Sequence, residues 1–445
     1  MVLFFSIVLF IIGLSIYIAK GELFLHYLLI WICFGPIFIN LFYTFEDEYY
    51  NIITWIIYLS YAVACIEIVR EKGIKDKWNK NIFLLVIVLN VYYVLISVLR
   101  GVSILDSIRY ISGYTGFLVS LSIIIKNKTK FSSLLKLMKI IIVIELILAL
   151  IQPYTDLLNF HAALHGDDVM TAMVNGTFVR NNVFVEFITP IVMIVIYFDY
   201  LKFKKIRPLM WILLLVTLYI TYNSGVRTVL VAIIPILVYS IYMFLEKVYK
   251  KKSTRIMVLL LYGVVLYSCY VFVQILAQEN GVTYTKYAQD SSQRQAVLLS
   301  MLNDGDFAEK QTTLGYTITV MSTFPDNPIF GSGLLFQGDG YGGYISRKFG
   351  NETDATLAIF LYETGIIGFG IWLFVYYIIL AKINHDNILP KLIFIYLLIV
   401  TILDPGLFFI ANVLLLFISI KISNALKDKN QLINDKAKGR LQKVL

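Results

Sequence analysis

The chain has 445 residues, of which 59% are hydrophobic and only 15% charged, with a mean hydropathy of +0.78 and a formal net charge of +9. Soluble globular chains are about 45–50% apolar and about 25% charged, so an assembly of soluble domains is excluded. Apolar runs of about 17–25 residues recur instead, each long enough to cross a bilayer as a helix.

Those runs are continuously apolar, as in IFLLVIVLNVYYVLISVL. Barrel strands would alternate apolar and polar residues, so helices are expected throughout. In chain order the predicted helices cover 2–19, 22–44, 50–69, 82–99, 107–125, 137–154, 183–200, 208–223, 228–245, 256–276, 355–380, 391–403 and 407–422. The first run lacks a basic flank and a small-residue cleavage site and is expected to be a retained helix. The last two runs are short and split by Asp404-Pro405-Gly406, a strong breaker. They read as a short hairpin, with one kinked span as the alternative. The fold class is therefore an all-α polytopic membrane protein with about 12–13 membrane helices. It forms a single membrane domain over 1–445, with no internal repeat.

Orientation follows from lysine and arginine in the short loops. Basic clusters occupy 70–80, 126–130, 202–207, 246–255 and the tail 423–445, all expected to face the cytoplasm. The intervening segments 45–50, 155–182 and 277–354 are poor in basic residues and are expected outside. This alternation holds if the N-terminus is outside and 391–422 crosses twice. Two outer loops are long, 155–182 and 277–354, and loops of that size carry function or are disordered. The second contains SSQRQAVLLSML, LGYTITVMSTF and a glycine-rich PIFGSGLLFQGDGYGGYISRKFGN, and is expected to fold as short helices on the membrane surface.

Charge at the membrane edge is costly and points to function. On the predicted outer face Arg180, Arg227, Arg294 and Arg347 lie beside helix starts, a turn or the glycine-rich loop. A guanidinium suits phosphate through its planar fork and permanent charge. Each also has a plainer reading as a solvated loop charge or an interfacial anchor, and Arg100 and Arg109 read as anchors. Acidic candidates on that face are Asp167, Asp168, Glu186, Asp326, Asp339, Glu352, Asp354 and Glu363. Asp354 opens a helix, so it is either an N-cap or a base at the membrane edge. Glu363, deeper in the same helix, needs a partner or a proton, which favours a structural role. His161 and His165 have i, i+4 spacing beside Asp167 and Asp168, but no third anchored ligand accompanies them and no metal site is expected. Cys33, Cys65 and Cys269 lie in apolar runs without metal-ligand spacing. No P-loop, dinucleotide fingerprint, zincin helix or nucleophile elbow occurs, so no cofactor and no nucleic-acid partner are expected.

Four segments together resemble the O-antigen polymerase and ligase superfamily, its Wzy-type enzymes in particular. They are NGTFVRNNVFVEFITP, SGVRT at 224–228, SSQRQAVLLSML with FPDNPIFGSG, and DATLAIFLYETGIIGFG. The resemblance covers roughly 174–380 and is only one of hydropathy before that. Ligases of the superfamily carry histidine then asparagine where this chain has Asp354 and Ala355, which favours a polymerase.

The resemblance implies a GT-C-like helical fold and an inverting, metal-independent glycosyl transfer at the outer face of the cytoplasmic membrane. Donor and acceptor would be oligosaccharide repeat units on undecaprenyl diphosphate. A chain-length-regulating co-polymerase, a flippase and membrane lipids are the implied partners. Asp354, Arg227 and Arg294 are the expected catalytic residues. Arg180, Arg347, Asn181, Ser224, Tyr341 and Tyr344 are the expected substrate-binding residues, the tyrosines by stacking on sugars. The alternatives are a ligase-like glycan transferase and a lipid-linked glycan transporter, the latter without the paired halves that transporters often show.

Overall fold

The computed structural model describes residues 2–42, 47–124, 131–152, 176–178, 181–203, 207–224, 229, 232–233, 327–333, 356–381, 389–401 and 411–422. Among them the chain is mostly helical and contains no strand. The helices are α1 (Val2–Lys20), α2 (Phe24–Phe42), α3 (Asp47–Arg70), α4 (Lys77–Leu99), α5 (Ile104–Ile124), α6 (Phe131–Ile151), α7 (Asn181–Phe203), α8 (Pro208–Asn223), α9 (Thr356–Ala381), α10 (Leu389–Val400) and α11 (Ala411–Ile422). The predicted helices at 228–245 and 256–276 lie outside the described residues apart from Val229, Ala232 and Ile233, all three buried.

Several helices start earlier than their apolar runs. α3 takes in Glu48, α4 takes in Lys77 and Lys80, and α6 takes in Lys136. Glu and Lys are good helix formers, and a lysine stem can lie on apolar surface while its ammonium stays in water. The helix therefore outlasts the hydrophobic stretch that announces it.

Three described helical stretches are long and apolar enough to cross a membrane: Ser6–Gly35, Asn79–Leu99 and Phe360–Ala381. These agree with an all-α membrane protein. The first stretch is folded in two. The Tyr27 hydroxyl donates to the Leu9 carbonyl at 2.5 Å, whereas eighteen residues of unbroken helix would hold those positions about 27 Å apart. The reversal falls at the 3-10 turn Gly21–Leu23, where Lys20 leaves helical geometry at φ −147°, ψ 70°.

Packing falls into two sets. α1, α3, α4, α5 and α9 pack against one another; α6, α7, α8 and α10 form the other set, and α2 touches both α1 and α6. The Tyr17 hydroxyl donates to Glu67 across α1 and α3, and His26 Nε2 meets Ser133 Oγ at 2.8 Å across α2 and α6. Large apolar side chains face outward, Val88, Val91 and Leu95 on α4 and Ile140, Val143 and Ile147 on α6, while Ser97 and Glu145 are buried. Polar groups thus turn inward on helices whose outer faces are apolar, as a lipid solvent demands.

Two further joints set where the chain goes. Between α7 and α8, Arg207 holds the buried Asp199 with both prongs of its guanidinium, Nε to Oδ2 at 2.7 Å and Nη2 to Oδ1. The hydrogen bond to Asp199 raises the Arg207 pKa above its ordinary value. Inside α7, Pro190 has no amide to offer the carbonyl four residues back, that of Glu186. Tyr396 of α10 points its hydroxyl at that carbonyl from 3.5 Å, and Asn412 Nδ2 of α11 lies 3.3 Å from Glu186 Oε2. Tyr396 and Asn412 therefore meet the same residue, though sixteen residues of continuous helix would separate them by about 24 Å. Both contacts are in keeping with the expected hairpin; the connection at 402–410 lies outside the described residues.

Candidate functional site

Of the two loop-derived motif segments that fall within the described residues, one is buried in the bundle and the other is docked on it with Ile329 and Phe330 exposed. The first is Gly176-Thr177-Phe178, from the NGTFVRNN stretch. Its socket is built on α6 and the residue that follows it: Glu145 and Gln152 lie seven residues apart and so fall on one face. The Gln152 amide pairs with Gly176 in both directions, Nε2 to the carbonyl at 2.7 Å and Oε1 from the N–H at 2.8 Å. Glu145 Oε2 accepts the Thr177 N–H at 2.9 Å, and Glu145 Oε1 lies 2.5 Å from Thr177 Oγ1. Thr177 Oγ1 also lies 2.5 Å from the Cys33 carbonyl in α2. All three side chains are buried. A Cβ at Gly176, which has φ +56°, would sit 2.3 Å from Glu145 Oε2, so only glycine fits this approach. Phe178 then packs on Phe187 and Phe184, with ring centroids 5.2 and 6.2 Å away. An irregular backbone is tolerated here because the Gly176 N–H and carbonyl and the Thr177 N–H find partners within the protein.

The second segment is Asn327–Gly333, the Asn-Pro-x-x-Gly-x-Gly stretch that ends the large loop. It docks on a break in α9. Gly365 has φ 61° and ψ −174°, so the helical ladder stops at Thr364 and restarts beyond. The break orphans carbonyls on one side and amides on the other. Ser332 N–H bonds the Tyr362 carbonyl at 3.0 Å and Gly333 N–H bonds the Glu363 carbonyl at 2.9 Å. In return Ile366 N–H bonds the Pro328 carbonyl at 2.9 Å and Ile367 N–H bonds the Ile329 carbonyl at 3.2 Å. A Cβ at Gly365 would come within 2.4 Å of the Ile329 carbonyl. α4 closes the clasp. Tyr92 Oη lies 2.8 Å from the Phe330 carbonyl and 3.0 Å from the Thr364 carbonyl. Tyr93 donates to Glu363 Oε2 at 3.0 Å, and Arg100 Nη2 donates to Asn327 Oδ1 at 2.7 Å.

Of the residues expected in the site, Arg180, Arg227, Arg294, Arg347, Tyr341, Tyr344 and Asp354 lie outside the described residues. Asn181 is the first residue of α7. Ser224 is buried at the end of α8, its hydroxyl donated to the Thr221 carbonyl at 2.7 Å. Arg100, read as an interface anchor, anchors a loop residue. Glu363, read as an acid in need of a partner, has Tyr93. Glu186, grouped with the outer-face acids, is buried within α7 beside Asn412. Among the described residues no cluster of three metal-ligating side chains occurs.

Sequence reasoning passed over Glu145, Gln152, Tyr92 and Tyr93. A signal for Glu145 existed, since it interrupts KIIIVIELILALI, and an acid within a span calls for a partner. Its partner is 32 residues away in a loop, which no local pattern reveals. No protein-family model, curated protein or solved structure matches the chain.

Proposed function

We propose that the chain is a polysaccharide polymerase of the bacterial cytoplasmic membrane, joining undecaprenyl-diphosphate-linked repeat units at the outer face. The observation that supports this reading is the tethering of two loop motifs to the bundle, Gly176–Phe178 in a buried socket of Glu145 and Gln152, and Asn327–Gly333 against the break in α9. A site assembled from loop arginines at the bilayer edge needs its loops tied at such points, because small displacements of a positioned group cost rate heavily.

In this reading Arg180, Arg227 and Arg347 bind the lipid diphosphates. Arg227 and Arg294 stabilise the charge that develops on the departing one. Asp354 takes the proton from an acceptor hydroxyl. The acceptor oxygen attacks the anomeric carbon of the donor sugar, the bond from that carbon to the diphosphate oxygen breaks, and undecaprenyl diphosphate leaves with the electron pair. Inversion follows from the single displacement. The sugar–diphosphate bond supplies the driving force, so no nucleotide is consumed.

Purified protein given one synthetic lipid-linked repeat unit tests the reading. A ladder of products differing by one repeat is expected. Turnover that appears only when a different acceptor is added points instead to a ligase, and passage of the lipid across vesicles without chain growth points to a transporter.

A further inference from the structure

We infer that Glu145 and Gln152 are positioning residues for the segment that carries Arg180; this inference rests on the polymerase reading for its consequence, but its geometry does not. The two side chains hold every polar atom that Gly176 and Thr177 offer on that face: the Gly176 N–H and carbonyl, the Thr177 N–H and the Thr177 hydroxyl. Phe178 is locked among α7 rings on the next position. The chain then has only Val179 and Arg180 before α7 begins at Asn181. One end of this short connection is fixed by α6 and the other by α7, and α6 and α7 pack together.

The socket has a hydrogen inventory. Thr177 Oγ1 lies 2.5 Å from both the Cys33 carbonyl and Glu145 Oε1, and both contacts need a hydrogen between the oxygens. The threonine supplies one and the carbonyl has none, so the set is complete when the side chain at 145 brings a hydrogen of its own. A glutamine at 145 offers the same set. Its amide N–H donates to Thr177 Oγ1, its oxygen accepts the Thr177 N–H, and the threonine proton stays on the Cys33 carbonyl. Glu145 is thus replaceable by its amide but not by an apolar residue of similar size.

The test uses the full chain with Cys33, Cys65 and Cys269 replaced by serine and a single cysteine introduced by Arg180→Cys. Its rate of labelling by a membrane-impermeant maleimide is compared across backgrounds. Glu145→Leu and Gln152→Leu are each expected to change that rate roughly tenfold, the scale of one lost buried hydrogen-bonding group, and Glu145→Gln is expected to leave it unchanged. Should Glu145→Leu fail to insert, Gln152→Leu carries the same expectation through the other half of the socket. Equal rates in the inserted leucine variants, or a Glu145→Gln rate equal to that of Glu145→Leu, overturn the inference. In parallel, chain growth is measured with Arg180 intact, where Glu145→Gln should elongate like wild type and the leucine variants should lose turnover. A wild-type protein that makes no ladder defeats the polymerase reading and leaves the labelling result standing.

Discussion

Pro190 lies one helical turn beyond Glu186 and withholds the amide that would bond the Glu186 carbonyl; Tyr396, from another helix, aims its hydroxyl there. The sequence defect in α7 is thereby converted into an inter-helix contact. Tyr396→Phe is expected to lower stability in detergent by about 1 kcal/mol, the net worth of one hydrogen bond. In a Pro190→Ala background the helix supplies its own donor, and the penalty for Tyr396→Phe should vanish. A double-mutant cycle by thermal unfolding measures this; additive effects would mean that the two residues are independent.

The hairpin expected between α10 and α11 makes a topological prediction. Reporters of sidedness inserted after residue 387 and after residue 445 should report the same face of the membrane. One inserted at 406 should differ from both if the hairpin reaches the opposite surface. Opposite readings at 387 and 445 would require a single crossing and would sink the hairpin.

At the α9 break, Gly365→Ala places a Cβ against the Ile329 carbonyl in a backbone region that side chains avoid. Strain of about 1–3 kcal/mol is expected from the backbone alone, with the clash in addition. Arg100→Ala removes only the exposed hydrogen bond to Asn327 and should cost about 1 kcal/mol. Limited proteolysis within 277–326 of protein in lipid nanodiscs should therefore accelerate strongly for Gly365→Ala and slightly for Arg100→Ala. An unchanged rate for Gly365→Ala would mean that the clasp does not restrain the large loop.

Under the polymerase reading, Asp354→Asn removes the proton acceptor while keeping the shape and the capping oxygen. It should abolish chain growth yet still bind lipid-linked substrate. Arg227→Ala should weaken that binding as well as turnover. Full activity of Asp354→Asn would remove Asp354 as the base.

Most of the bundle was legible because its signal is local. A run such as IIVIELILALIQ announces a helix whatever surrounds it. The apolar stretch 6–35 was readable as two helices through Lys20-Gly21-Glu22, polar residues at mid-stretch. What remained hidden depends on pairing at distance. Glu145 needs Thr177, Arg100 needs Asn327 and Pro190 needs Tyr396. Gly365 reads in sequence as part of a glycine motif inside one helix over 355–380; that the ladder breaks there follows only from the donors and acceptors that Asn327–Gly333 brings.

The turn at Gly21–Leu23 has a consequence for the parity of the chain. Hydropathy alone counts 6–35 as a single crossing. Folded in two, it contributes an even number, and every later segment changes sides relative to that count. In the predicted topology it is this doubling back that sets the N-terminus on the face opposite the basic clusters at 70–80, 126–130 and 202–207. One three-residue bend near the N-terminus thus acts as a sign bit for the topology of the hundreds of residues that follow.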